Sequence, residues 1–130
     1  MAHQSQQDFC ERVKARFPAY FTGTTVLDCG SLDINGSNRP LFAGGRYTGV
    51  DIAPGRNVDL VSAIHDLKLA DGAFDVIVST ECFEHDRHYA DSLRNIVRML
   101  RARGGSCSSR ARRRGGPNTA RGARTRAAPR

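Results

Sequence analysis

Residues 74–80 read FDVIVST, a continuous apolar run closed by two hydroxyl residues. Such a run suits a strand buried on both faces, as in a parallel sheet whose connections cover it on either side. Residues 24–30, TTVLDCG, have the same character and stop at Gly30, which predicts a first strand ending in a loop. Between these two, residues 46–55 read RYTGVDIAPG, predicting a second strand over Tyr47 to Ile52 that Pro54 and Gly55 close. Residues 57–64, NVDLVSAI, predict a short third strand. Residues 31–45 form a polar, glycine-containing connection and residues 66–73 a turn-rich one. Beyond the apolar run, residues 88–101 place Leu93, Ile96, Val97 and Leu100 at i, i+3, i+4 and i+7, which predicts an amphipathic helix packed on the sheet through that stripe. At the other end, residues 8–17 space Phe9, Val13 and Phe17 as one helical face before Pro18, which discourages continuation of a helix.

Apolar strands separated by helices and loops predict an α/β fold, an open and mainly parallel Rossmann-like sheet, and that fold takes ligands beyond the carboxyl ends of its strands. The polar residues that interrupt the strands fall at those ends: Asp28 and Gly30, Asp51, then Ser79, Thr80 and Glu81. Three separate segments are therefore expected to converge on one crevice. The organisation predicted is a helical lead-in over 1–23, a core over 24–105 and a basic low-complexity tail over 106–130, and 130 residues are enough for one domain rather than two.

Charge divides the chain in the same way. Residues 1–100 carry all 13 acidic side chains and ten basic ones, about −3, whereas residues 101–130 carry ten arginines and no acid. The net +7 therefore describes a tail and not a domain surface, so the whole chain does not read as a basic nucleic-acid binder. Cys10, Cys29, Cys82 and Cys107 show no CxxC spacing and no paired histidines, so neither a metal site nor a disulfide framework is expected. The start lacks an apolar leader region and no apolar run reaches the roughly 18 residues of a membrane span. The cytoplasm is the compartment these features suggest.

VLDCGSLDING, GVDI and FDVIVSTECFEH, in this order, resemble the class I S-adenosylmethionine-dependent methyltransferases, in particular the type 11 branch, over roughly residues 24–105. The resemblance implies S-adenosyl-L-methionine as cofactor and a methyl group passed to a small-molecule acceptor, with no specific nucleic acid and no membrane as partner. It also implies that Asp28, Gly30 and Ser31 wrap the methionine part of the cofactor, glycine allowing the backbone to turn tightly and approach the ligand. Asp51, with Ile52 beside it, falls where the family accepts the ribose hydroxyls, since one carboxylate has two oxygens for a vicinal diol; a turn residue before Pro54 is the other reading of Asp51. Leu32 replaces the second glycine of the family's loop. Ala63 stands where an acid often meets the adenine amino group, which leaves the backbone of Ile64 and His65, or Asp66, for that task. Ser79 and Thr80 would flank the methionine end. His85, next to Glu84, would face substrate as a general base, imidazole ordinarily titrating near neutrality, or else cap the following helix, and His88 reads as a helix-start residue.

In the family a glycine turn and an apolar fifth strand follow this helix. Here the turn reads ARGG, but the next residues read SCSSRARRR, and arginine, glycine, alanine and proline supply 23 of the last 30 residues. That composition is what a GC-rich coding sequence read out of frame would give, so a truncated or frame-shifted, disordered tail and an incomplete fold are expected, with activity reduced or absent. Two rival readings remain: a nicotinamide- or sugar-nucleotide-binding Rossmann protein, which would prefer a GxGxxG loop, and a non-catalytic nucleic-acid binder acting through its arginines.

Overall fold

The computed structural model describes residues 4–80 and 82–102; the expectations for Glu81 and for the arginine-rich tail lie outside the described residues. Four strands, β1 (Thr25–Cys29), β2 (Arg46–Asp51), β3 (Leu60–Val61) and β4 (Val76–Ser79), pair in parallel in the order β3-β2-β1-β4. Two α-helices accompany them, α1 (Gln4–Arg16) and α2 (Tyr89–Met99). This is the Rossmann-like α/β sheet expected, with β1 at its centre.

Position in the sheet, more than local apolarity, decides burial. β1 lies between β2 and β4, and Val26 to Cys29 are all buried, Asp28 included. β4, the most apolar run in the chain, has β1 as its only strand partner among the described residues and is half-buried along its whole length. Leu27 and Cys29 of β1 meet Val50, Ile64, Leu67, Phe74 and Met99 in the core on one face of the sheet. Strand alternation sends Val26 and Asp28 to the opposite face. There Phe9 and Val13 of α1, with Phe17 just beyond it, face Val76 and Val78 across an apolar groove of about 470 Å3. Cys10 is the buried residue of α1, and Phe9 and Phe17 stay exposed on the rim.

The packed face of α2 differs from the expected one. Ser92 and Met99 are fully buried and Asn95 and Ile96 half-buried, whereas Leu93 is 45 % and Val97 72 % exposed. The buried set 92, 95, 96 and 99 has the same spacing as the expected 93, 96, 97 and 100, moved back by one residue, a rotation of about 100°. Polar contacts account for the rotation. Asn95 donates to Ile64 O (2.7 Å) and Leu67 O (2.8 Å), and Ser92 Oγ donates to Asp86, so two polar side chains must face inward and Leu93 and Val97 turn outward.

The link from β1 to β2 contains no α-helix among the described residues; it runs irregularly through one tight turn at Arg39–Leu41. Side-chain bonds hold it to the loop after β2. Asn57 donates to Ser31 O (3.1 Å) and Ser37 Oγ (2.9 Å), and Ser31 Oγ donates to Asn57 O (2.9 Å). Arg39 bonds both Asn57 and Asp59, the latter at 2.7 Å, and lies over the Tyr47 ring. These loops together shape the carboxyl end of the sheet.

Candidate functional site

A crevice of about 200 Å3 opens where β1, β2 and β3 end. Gly30 forms its floor in a left-handed turn (φ 81°) that an L side chain rarely adopts. A side chain there would also press on Cys82, whose Cβ lies 3.1 Å from where a Cβ on Gly30 would stand. The turn is secured by Gly30 N and Ser31 N, which both donate to Val50 O, at 2.9 and 3.1 Å.

Asp51, the last residue of β2, presents its carboxylate on the next wall. Oδ2 accepts from Leu32 N and Oδ1 from Ala53 N, each at 3.1 Å, so both oxygens are held by backbone and each retains acceptor capacity. Ile52 beside it is exposed at the rim. The third wall comes from the end of β3: Ser62, Ala63 and buried Ile64, the last pinned by Asn95 of α2. The connection from β4 to α2 closes the crevice with Cys82, His85 and Asp86.

The crevice thus gathers Gly30, Asp51, Ile52, Ile64 and His85 of the residues expected from sequence, and adds Ser62, Ala63, Cys82 and Asp86. The other expected residues lie off its walls. Ser31 is buried beneath the loop network, its hydroxyl spent on Asn57. His65 is half-buried and stacks on His88 with ring centroids 4.3 Å apart, while Asp66 is 72 % exposed beside it. Ser79 and Thr80 are half-buried, and the Ser79 side chain interacts with Cys82 rather than facing the crevice. His85 is 83 % exposed, with Nε2 at 3.5 Å from Glu84.

Asp28 sits behind the floor. Tyr47 OH donates to its Oδ2 at 2.5 Å, and Oδ1 is buried with no partner among the described residues. Burial raises its pKa, against the Tyr47 hydrogen bond that lowers it. Burial likewise pushes the Cys29 thiol up to about 12, and raises that of Cys82, with Asp86 and Asp51 adding to the effect. Cys82, the thiol on the crevice wall, is therefore neutral at neutral pH and is not an activated nucleophile, and Cys29 lies in the core away from it. No group of three or more His, Cys, Asp or Glu able to hold a metal occurs among the described residues, and no helix among them is long and apolar enough to cross a membrane.

Asp86 was not singled out from sequence, since an acid two residues ahead of a helix start reads as an ordinary cap. Only the turn of the chain after β4 carries it to the end of β3. Residues 27–107 match a family model described as a methyltransferase domain. No curated protein matches the chain, and no solved structure does.

Proposed function

Because the chain belongs to the methyltransferase domain family, we propose that its crevice binds S-adenosyl-L-methionine and that the chain passes the cofactor's methyl group to a small-molecule acceptor. The carrying observation is Asp51. Its carboxylate is braced by two backbone N–H groups beside the Gly30 turn, with a lone pair left on each oxygen for a vicinal ribose diol. Ile52 and Ile64 offer apolar surface on either side for a base. At about 200 Å3 the crevice is smaller than the roughly 300–1,000 Å3 of sites that enclose a drug-sized ligand, so it suits the nucleoside part. The amino-acid part then runs over Gly30, where the absence of a side chain allows close approach.

When bound, the cofactor supplies a methyl group on a sulfonium that is its own leaving group. The protein's own residues then have little covalent work. Asp51 and Gly30 orient, Ile52 and Ile64 exclude water, and alignment of the acceptor lowers the barrier by making the displacement effectively unimolecular. His85, exposed at the mouth, is placed to take a proton from an acceptor hydroxyl or amine. A small acceptor fits the charge of the folded part, because residues 1–100 are net acidic and do not attract a polyanion.

Calorimetric titration of the full chain with S-adenosylhomocysteine tests this, with NADH as control and circular dichroism to establish folding. The expected result is saturable binding of the homocysteine compound and none of NADH. Asp51→Ala should weaken it roughly ten- to a hundredfold, the usual effect of removing hydrogen bonds to a charged group. A folded chain that binds no S-adenosylhomocysteine, or an Asp51→Ala variant that binds it unchanged, would refute the assignment.

A further inference from the structure

We propose that Asp86 makes the crevice selective for an adenine base, by accepting a hydrogen bond from the exocyclic amino group. This rests on the nucleoside-binding reading above and deepens it. The base-binding part of the crevice lies between Ile52 and the segment at the end of β3, and on that segment the crevice-facing residue Ala63 has no polar side chain. Ser62 directs its hydroxyl to Ala63 O (2.9 Å). Asp66 is turned out to solvent, off the crevice wall. Asp51 also keeps an acceptor on each oxygen, but the reading above assigns those to the ribose diol at the end of β2. Of the carboxylates among the described residues, this leaves Asp86 lining the crevice with capacity to spare.

Its geometry is fixed in advance. Oδ1 accepts from His88 N at 2.7 Å and Oδ2 from the hydroxyl of fully buried Ser92, so the carboxylate cannot swing away. Each oxygen has used one acceptor position and keeps another. The Ser92 hydrogen bond also holds Asp86 below the usual carboxylate range, outweighing partial burial, with His88 N–H and the nearby His65 and His88 rings acting in the same direction. Bracing the turn ahead of α2 through His88 N and the Ser92 hydroxyl explains why an acid sits there. It does not explain why the carboxylate also forms a wall of the crevice.

A fixed, ionised acceptor discriminates by chemistry. At the exocyclic position adenine presents N–H donors, whereas hypoxanthine presents a carbonyl oxygen that a carboxylate repels, and a site built for a hydrogen bond to that group rejects an analogue that cannot make it there. The test compares S-adenosylhomocysteine with S-inosylhomocysteine by calorimetry on the full chain, the Asp86→Asn variant and the Asp66→Asn variant. The wild-type chain should prefer the adenosyl compound by roughly ten- to a hundredfold. Asp86→Asn, whose amide presents either a donor or an acceptor, should bring the ratio close to one, and Asp66→Asn should leave it unchanged. The ratio is read on one preparation, so partial misfolding of a variant lowers both affinities without changing it.

Equal wild-type affinities, an unchanged ratio in Asp86→Asn, or a ratio lost only in Asp66→Asn would each overturn the assignment while leaving cofactor binding intact. Binding of neither compound by the folded chain would overturn the nucleoside reading, and this inference with it.

Discussion

Replacing Gly49 by alanine should destabilise the fold sharply, for reasons of space. Gly49 lies in β2, and a Cβ there would stand 2.1 Å from Asn57 O, 2.5 Å from Ser31 Oγ and 2.9 Å from Ser31 Cβ. Two of these neighbours belong to the Ser31–Asn57 hydrogen bond that joins the loops after β1 and β2. Forcing a methyl into packed surroundings costs about 1–3 kcal/mol, and separating that hydrogen bond costs about 1 kcal/mol more. A total of about 2–4 kcal/mol corresponds to a fall in melting temperature of roughly 10–30 °C for a domain of this size. Gly55 is the control: its added Cβ would come within 2.4 Å of Leu32 Cδ1, the tip of a side chain that can rotate aside. Gly55→Ala should therefore stay within about 0.5 kcal/mol of the parent. Thermal melts followed by circular dichroism at neutral pH measure both. If the two variants melt within a few degrees of each other, the loops yield more readily than this packing implies and Gly49 is not needed for close approach.

Asp28→Asn should be more stable than the parent at neutral pH. The folded-state pKa of Asp28 is raised, chiefly by burial, so its contribution to stability is fully present below the ordinary aspartate value of 3.8 and is lost as pH rises through the raised value. The stability difference between variant and parent, from urea midpoints across acid to neutral pH, should grow in favour of asparagine over that window; a difference independent of pH would contradict the burial argument. Met99→Ala should cost about 2–5 kcal/mol because it empties a fully buried position, while Val97→Ala, two residues away and largely exposed, should cost about 0.5 kcal/mol or less. Urea unfolding decides this too, and a larger loss for Val97→Ala than for Met99→Ala would mean that α2 packs through the stripe read from its sequence.

The strands were legible because each is a short apolar run closed by turn-forming or polar residues, and β1, β2 and β4 lie within two residues of their expected ends. Gly30 and Asp51 were legible for the same reason, standing where strands stop in a fold that binds ligands at strand ends. The packed face of α2 was not. Both candidate stripes have helical spacing, and the choice between them rests on Asn95 reaching carbonyls about thirty residues earlier in the chain. Nor was the greater burial of β1 over the more apolar β4, because the number of strand neighbours is a property of the sheet.

Sequence alone determined the class of fold, the order of its strands along the chain and the identity of the residues at their ends, since local apolarity and turn chemistry act over a few residues. Tertiary structure decided which of those residues share a crevice. It put Ser31 underneath and Asp66 outside, and brought Asp86 alongside Ile64 from a segment more than twenty residues further on. The same division separates Gly49 from Gly55, two glycines of one short motif. Neither glycine's neighbours in sequence say what a side chain there would meet, and only the third dimension puts a backbone carbonyl against one and a mobile side chain against the other.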